Sequence, residues 1–346
     1  MNGVAQYDIA AFMRLSRAIT PQHQKAIITY EHLSEHVEHF TWPRRFNSCK
    51  SALNKGRLDS TATELLSLGP VLRHFFSEIV LKTPSLDALH DAATAMVALF
   101  DVLEALLCAS RVAIDPDELD GVIVDHLRKA QHAFGVLYQK FKHHMPLHLA
   151  KMFRDFGRLI NSLVTERKHR NPKRLAFARR AQSNYEFGIM SDLLLQHFQD
   201  WHDWVDTVGI VAPHAITNRA MQVTVREAFP HAHCILTGVD YTSPTGAKFH
   251  VGDYVLLATD DLQRITLGQV WHFLDVDGVQ WTALSTYPSR RINRGAGVYA
   301  MYAHYTVADE MSLMVGSSVL ASLAIVRRSG SDIMAIVPRL FQLGKY

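Results

Sequence analysis

Residues 267–287 read LGQVWHFLDVDGVQWTALSTY, and this stretch decides the fold of the C-terminal part of the chain. Asp277 and Gly278 separate two strand-like runs, and an Asp-Gly pair supplies the positive φ angles that a two-residue hairpin needs. The stretch therefore predicts antiparallel strands at residues 267–275 and 279–287. Similar short runs predict strands at residues 233–237, 249–258, 298–305, 318–326 and 334–337. Such closely spaced strands predict a small antiparallel β barrel or a curled sheet.

The sequence before residue 206 has the periodicity of helices instead. Apolar residues recur every three or four positions over residues 65–80, 85–112, 116–141 and 184–204, which indicates helices joined by short connections. Thr61 and Glu64 fit a capping box, and Pro146 predicts the start of a helix over residues 147–163. We therefore predict an α+β protein, mainly a helical bundle, with a helical domain at residues 1–206 and a β-rich domain at residues 231–346.

Composition limits the classes of function that the chain can have. Its 346 residues are 48% hydrophobic, which is enough for two cores, and its formal net charge is only +3. A uniformly basic nucleic-acid binder is thereby excluded, so a site for nucleic acid must be a local patch. Three widely spaced cysteines predict neither a disulfide framework nor a zinc knuckle. Because neither a signal peptide nor a long uninterrupted apolar run is present, we expect a nuclear or cytoplasmic protein that is not secreted and has no membrane partner.

The densest cationic stretch of the chain begins directly after Glu166. Seven of the fourteen residues 167–180 are Lys or Arg. Such a density predicts salt-sensitive binding to phosphates, because it releases the counterions condensed on a nucleic acid. A solvated helix face with a nuclear-localisation role is the alternative interpretation. The predicted nucleic-acid-binding residues are Arg167, Lys168, His169, Arg170, Lys173, Arg174, Arg179 and Arg180.

Two histidine clusters match the spacing of metal ligands. His144 and His148 are four residues apart, but the proline between them is expected to interrupt the helical register, which favours ordinary surface histidines. His32-x-x-Glu35-His36 matches an inverzincin pattern. No third ligand can be named for it, so a polar amphipathic helix is favoured over a metal hydrolase. We therefore predict no metal ligands and no cofactor.

A progression of short motifs carries a family resemblance. Residues 142–149, KHHMPLHL, precede Phe156-Gly157, and the sequence Glu166-Arg167-Lys168-His169 follows. This order resembles the C-terminal portion of DDE-type DNA transposases of the CACTA-like and Kyakuja–Dileera–Zisupton kind. The resemblance implies that the helical part contains the insertion and the last helix of an RNase H-like core. It also implies that Glu166 stands in the place of the last catalytic acid, which holds one of two metal ions. From its cationic neighbours alone, an ordinary ion pair of Glu166 is the favoured interpretation.

The resemblance also carries an expectation about activity. No strand-borne aspartates precede Met1, so the first two acids of the site are expected to be missing, and Mg²⁺ or Mn²⁺ would bind only if such aspartates exist upstream. We therefore expect a catalytically inactive, transposon-derived remnant that binds DNA through its basic stretch. Residues 250–257, HVGDYVLL, resemble the entry strands of bromo-adjacent-homology domains. The alternative is thus a protein-interaction or chromatin-associated module without nucleic-acid contact.

Overall fold

A computed structural model gives the fold of the chain. It describes residues 2–20, 27–44, 62–110, 112–157, 208–243, 247–257, 266–292, 299–304, 312–315, 319–322, 325–327 and 332–337, together with isolated positions between these ranges. Within the described residues, α-helices are followed by sheets whose strand pairs are all antiparallel. The predicted α+β class is therefore confirmed.

The helices of the N-terminal part surround one long central helix. Their bounds are α1 Asn2–Ala18, α2 Tyr30–Glu38, α3 Ala62–His74, α4 His90–Ser110, α5 Pro116–Phe134, α6 Phe141–His144 and α7 Leu147–Phe156. A π-helical segment, Phe75–Val80, continues α3, and 3₁₀ turns Pro84–Leu89 and Val136–Tyr138 precede α4 and α6. The central helix α4 is apolar on nearly all sides and packs against α5. A helix of this kind belongs in the middle of a bundle.

Length and composition would also let α4 and its preceding turn cross a membrane. Pro84–Ser110 is the one helical stretch among the described residues that passes this test, and 72% of its most apolar window is buried inside the protein. The core helix of a globular domain passes the same test. The aromatic packing around it fits a core helix, because the ring of Phe76 contacts both Phe12, at 4.9 Å, and Phe100, at 6.1 Å.

Two predicted helix boundaries differ from the structure. The helix predicted over residues 116–141 ends at Phe134, because Gly135 adopts a φ of +84°. The helix predicted over residues 147–163 ends at Phe156, where Gly157 has a φ of +67°. Glycine adopts positive φ angles without steric cost and is therefore common where a helix ends. Thr61 of the predicted capping box lies outside the described residues, as does most of the helix predicted over residues 184–204.

The described residues of the C-terminal part form a series of strands, of which β7 and β8 are the longest, and one helix. The bounds are β1 Gly209–Val211, β2 His214–Ala215, α8 Arg219–Ala228, β3 Ile235–Gly238, β4 Asp240–Thr242, β5 Lys248–His250, β6 Tyr254–Leu257, β7 Thr266–Val276, β8 Val279–Ile292, β9 Tyr299–His304, β10 Ser312–Val315, β11 Val319–Ser322, β12 Ile325–Arg327 and β13 Asp332–Val337. The larger sheet runs β11-β6-β7-β8-β9-β13-β12, and β1-β4-β5 form a smaller sheet. β1 and β2 precede residue 231, yet they pair with β4 and β3.

The predicted hairpin at Asp277-Gly278 is confirmed. Val276 pairs with Val279, and the two turn residues have φ angles of +52° and +85°. The Asp277 carboxylate accepts hydrogen bonds from the backbone N–H groups of Cys234, at 2.7 Å, and His233, at 3.1 Å. These two hydrogen bonds lower the pKa of Asp277. The turn therefore also holds His233 and Cys234, the residues just before β3, against the end of the hairpin.

The C-terminal strand and one carboxylate connect the β-rich part to the helices. Met334 and Ile336 of β13 are buried in the same apolar core as the residues of α1, α3 and α4. The buried carboxylate of Asp253, in the turn before β6, accepts a hydrogen bond from the backbone N–H of Arg44 at 3.2 Å. It accepts a second one from the backbone N–H of His250 at 3.0 Å. One acid thus shapes its own turn and holds the chain just after α2.

Candidate functional site

The residues predicted to bind nucleic acid lie outside the described residues. These are Arg167, Lys168, His169, Arg170, Lys173, Arg174, Arg179 and Arg180, together with Glu166 as the predicted remnant of a catalytic acid. The other half of the transposase-like pattern, residues 142–149, is described, and we call it the histidine segment. Its neighbouring residues His143 and His144 point in opposite directions, since His143 is buried and His144 is exposed. The segment therefore has an inner face and an outer face.

The inner face of the histidine segment is anchored to a buried carboxylate. Asp8 lies on α1 with none of its surface exposed, and Nε2 of His143 is 2.9 Å from its Oδ1 atom. The backbone N–H of Lys140 donates to Nδ1 of His143 at 3.0 Å. Because that nitrogen accepts a hydrogen bond, the proton of a neutral imidazole must sit on Nε2 and point at the carboxylate. His143 is therefore held as the neutral Nε2–H tautomer.

Two further side chains from other elements meet the same carboxylate. The hydroxyl of Tyr138, in the 3₁₀ turn before α6, donates to Oδ1 of Asp8. On the other side, Nε2 of His126 on α5 lies 3.2 Å from Oδ2, an ionic contact whose angle falls short of a directed hydrogen bond. Nδ1 of His126 faces the backbone oxygen of Ala95 at 3.3 Å. Both ring nitrogens of His126 thus face oxygen atoms, one of the Asp8 carboxylate and one of the backbone.

Electrostatics in this cluster favour an ionised Asp8. Burial alone would raise its pKa, but the contacts with His126, His143 and Tyr138 outweigh burial and hold the pKa of Asp8 below its usual value of 3.8. Burial and the neighbouring carboxylate together raise the pKa of Tyr138 well above that of a free phenol. The phenol therefore stays protonated and serves as a donor. A folded interior tolerates a buried carboxylate when hydrogen-bond donors contact it, as Tyr138 and His143 do here.

The Asp8 cluster positions the histidine segment rather than meeting a substrate. Asp8, His126 and His143 expose 0%, 2% and 3% of their surfaces, so solvent reaches none of them freely. Through this one carboxylate, α1 holds α5, the 3₁₀ turn and α6 in fixed positions. The ring of Tyr7 covers the cluster, stacked on Tyr138 with 5.1 Å between ring centroids. The cluster thus fixes the position of α6, which directly precedes α7 in the chain.

Sequence reasoning missed this cluster, although it left a signal in two helices. In α1, Asp8 lies four residues from both Val4 and Phe12, which are buried. In α5, His126 falls on the face that carries Ile123 and Ala130, both buried. Burial of an acid on one apolar helix face, or of a histidine on another, costs free energy unless the two side chains contact each other. The presence of both residues on apolar faces is thus the sequence signal for a contact between Asp8 and His126.

The outer face brings together a histidine pair that the sequence analysis set aside. Nε2 of His144 and Nε2 of His148 are 3.0 Å apart, and both residues are exposed. The helix is interrupted at Pro146 as expected, since α6 ends at His144 and α7 begins at Leu147, but the interruption does not separate the two histidines. Met145 has φ and ψ of −57° and −40°, and Pro146 has −57° and −30°, so both residues keep right-handed helical angles. Residues four apart consequently lie side by side across the junction of α6 and α7.

The inverzincin-like pattern on α2 does not form a metal site within the described residues, where no group of three or more potential ligands is found. Nδ1 of His32 accepts a hydrogen bond from the backbone N–H of Thr29 at 3.0 Å, which closes the start of the helix. His36 turns inwards and stacks on His74, with Nε2 of His36 3.3 Å from Nδ1 of His74. Burial, with the charges of His74 and His39, lowers the pKa of His36 to about 4.

One large aromatic side chain stands out on the β-rich part. Trp271 lies where the pairing of β7 with β8 shifts between Val270 and His272, and 53% of its surface is exposed. Its indole N–H donates to Oγ of Ser285 at 2.8 Å. A β-bulge turns a side chain away from the regular alternation of a strand. Trp271 is therefore presented to solvent in a fixed orientation.

The comparisons with known proteins add no relative. No family model matches the chain, and no curated protein and no solved structure matches it. The transposase-like origin therefore stays a prediction that rests on the motifs of the sequence.

Proposed function

We propose that this protein is a transposon-derived nucleic-acid-binding protein that contacts phosphates through residues 167–180. The observation that carries the proposal is the density of charge, seven Lys or Arg residues in fourteen. Phosphate contacts by such residues supply most of the affinity of sequence-independent binding. The proposal assigns binding to this stretch and no bond-breaking step.

The charges of the neighbouring helix α7 support this assignment by contrast. Lys151 pairs with Asp155 at 2.9 Å, and Arg154 pairs with Asp117 at 2.6 Å, so both cations of α7 have carboxylate partners. The sequence that follows α7 contains few acids that could pair with cations in the same way. Glu166 is the only acid between Asp155 and Glu186. This scarcity of acids nearby in the sequence supports the proposal that residues 167–180 bind an external anion.

The resemblance adds a proposal about ancestry. We place Glu166 where the last acid of an RNase H-like site would stand, and the helices before it within the insertion that splits such a core. In the β-rich part we favour a curled sheet over a closed barrel, because β11 and β12, the ends of the larger sheet, do not pair within the described residues. Register shifts such as that at Val270 and His272 would supply the curvature.

Titration of a fluorescent DNA duplex against matched charge variants tests the function. One variant replaces Arg167, Lys168, Lys173 and Arg174 with Ala. The control removes the same number of charges at exposed cations that already have carboxylate partners, namely Lys82, Lys129, Lys151 and Arg154. We expect the first variant to lose affinity and to lower the slope of log affinity against log salt by about 3–4, at about 0.9 per phosphate contact. The control should bind nearly as the unchanged protein does.

Two outcomes would overturn the function. One is no binding to the duplex at low salt, and the other is an equal loss of affinity in both variants. The first outcome would favour a protein-interaction module, for which Trp271 is the specific observation, because exposed aromatic anchors are typical of the centres of interfaces.

A further inference from the structure

We propose that His144 and His148 form a binding site for a divalent transition-metal ion, such as Zn²⁺ or Ni²⁺, on the outer face of the histidine segment. The site needs nothing from the basic stretch and goes beyond the nucleic-acid binding proposed above. Its protein ligands are two imidazole nitrogens, with water completing the coordination. Imidazole suits zinc, nickel and copper better than magnesium or calcium.

The distance between the two nitrogens fits a shared metal ion. A Zn–N bond is about 2.0–2.1 Å long, so two nitrogens on one tetrahedral zinc ion are about 3.3 Å apart. The two Nε2 atoms are 3.0 Å apart, whereas the ring centroids are 4.8 Å apart. The facing nitrogens are thus the near edges of the two rings. A small rotation of the exposed rings would open the gap by a few tenths of an ångström.

The backbone prearranges this pair. Met145 and Pro146 have helical angles in the turn between α6 and α7, and the N–H of His148 donates to the backbone oxygen of Met145 at 3.2 Å. The neighbouring His143 is pinned to Asp8, which fixes the end of α6 from the inside. Little conformational freedom of the backbone is therefore lost when a metal ion joins the two side chains, and preorganisation of this kind favours binding.

Binding should have a visible effect on stability and a clear dependence on pH. A ligand that binds only the folded chain stabilises it by mass action. The ion would also join the end of α6 to the first turn of α7. Because histidine must be unprotonated to ligate a metal ion, affinity should fall as the pH is lowered.

Calorimetric titration of the full chain with ZnCl₂ and with NiCl₂ tests the site. The variants are His144→Gln and His148→Gln, and the matched control is His132→Gln, an exposed histidine with one carboxylate neighbour, Asp91. We expect each of the first two variants to lose one equivalent of bound metal, or to bind it at least about tenfold more weakly. The control should titrate as the unchanged protein does, and a thermal shift caused by zinc should disappear in the same two variants.

The control decides whether the site is specific, because the chain contains 20 His residues. The proposal is overturned if the His144 and His148 variants bind zinc as the unchanged protein does, or if His132→Gln loses as much binding as they do. All three positions are exposed, so a failure to fold is not expected, and unfolding curves measured without metal verify it. The variant that lacks four cations between residues 167 and 174 should keep its zinc equivalent, which separates this test from the test of DNA binding.

Discussion

His143 and His144 are neighbours in the sequence, but their environments differ in every respect that matters for chemistry. His143 is buried, donates to an ionised carboxylate and has its tautomer fixed by the backbone. His144 is exposed and faces a second imidazole. One short helix thus uses one histidine to hold the fold and offers the next to solvent. The comparison teaches that a histidine-rich motif can divide structural and binding roles between its two faces.

The largest expected effect on stability comes from removing the buried negative charge of Asp8. Asp8→Asn keeps the shape of the side chain but removes the buried negative charge that His126, His143 and Tyr138 contact. We expect the free energy of unfolding at pH 7 to fall by about 3–5 kcal/mol, as for other broken buried ion pairs. Denaturant titration measures it.

A control for that substitution lies on the exposed side of the molecule. Asp155→Asn also removes a carboxylate from an ion pair, but Asp155 and its partner Lys151 are solvent-exposed. Exposed pairs contribute about 0–1 kcal/mol. Equal losses of stability in the two variants would mean that the Asp8 cluster contributes no more than a surface pair.

The second effect concerns His36, a half-buried histidine on α2. The folded pKa of His36 is about 4, below the ordinary 6.5, so the unfolded chain binds the proton first as the pH falls. Stability should therefore be lost between about pH 6.5 and pH 4, by up to about 3 kcal/mol at 1.36 kcal/mol per pKa unit. Asp8, with a folded pKa below 3.8, keeps its contribution over this window. Unfolding curves at pH 7 and pH 4.5 measure the loss.

Replacement of the titrating ring separates His36 from all other groups. The His36→Gln variant should show a smaller decrease of stability between pH 7 and pH 4.5 than the unchanged protein. An unaltered pH dependence would show that His36 is not the group responsible.

A third, smaller effect concerns the phenol of the inner cluster. Tyr138→Phe removes one donor to the Asp8 carboxylate and leaves the ring contacts with Tyr7 and Phe134 in place. We expect a loss of about 1.5–3 kcal/mol in the free energy of unfolding, the range for a hydrogen bond to a charged group. A loss below about 0.5 kcal/mol, the scale of a neutral surface change, would argue that the carboxylate is satisfied without the phenol.

The smallest effect on stability is expected on the outer face. Without added metal, His144→Gln and His148→Gln should each change the free energy of unfolding by no more than about 0.5 kcal/mol, because surface substitutions away from special features are nearly neutral. The same denaturant titrations measure it. A loss comparable to that of Asp8→Asn would erase the distinction between the two faces.

The hairpin shows how far local sequence determines this fold. Asp277 and Gly278 supply the two positive φ angles of the turn, and the strands on either side follow from it. The run at residues 249–258 was predicted as one strand, but Gly252 and Asp253 bend it into β5 and β6. The short strands β1, β2, β4 and β10 were not predicted. Strands of two to four residues carry too little alternation to be recognised from sequence alone.

The candidate site was less predictable because it is assembled from distant parts of the chain. Asp8 and His143 are separated by 135 residues, and no local pattern states that they meet. The interruption at Pro146 was expected to separate His144 from His148, yet proline is tolerated at the start of a helix, where its fixed φ agrees with helical geometry. In contrast, the basic stretch was found directly, because charge density is a local property of a sequence.

Long-range ¹⁵N–¹H spectra of the histidine rings, recorded at neutral pH with and without one equivalent of ZnCl₂, test the division between the two faces most directly. His143 should show a proton on Nε2 and an unprotonated Nδ1, and zinc should leave both signals unmoved. The Nε2 signals of His144 and His148 should shift together on addition of zinc. A proton on Nδ1 of His143, or zinc shifts at His143 in place of the other two, would contradict the account.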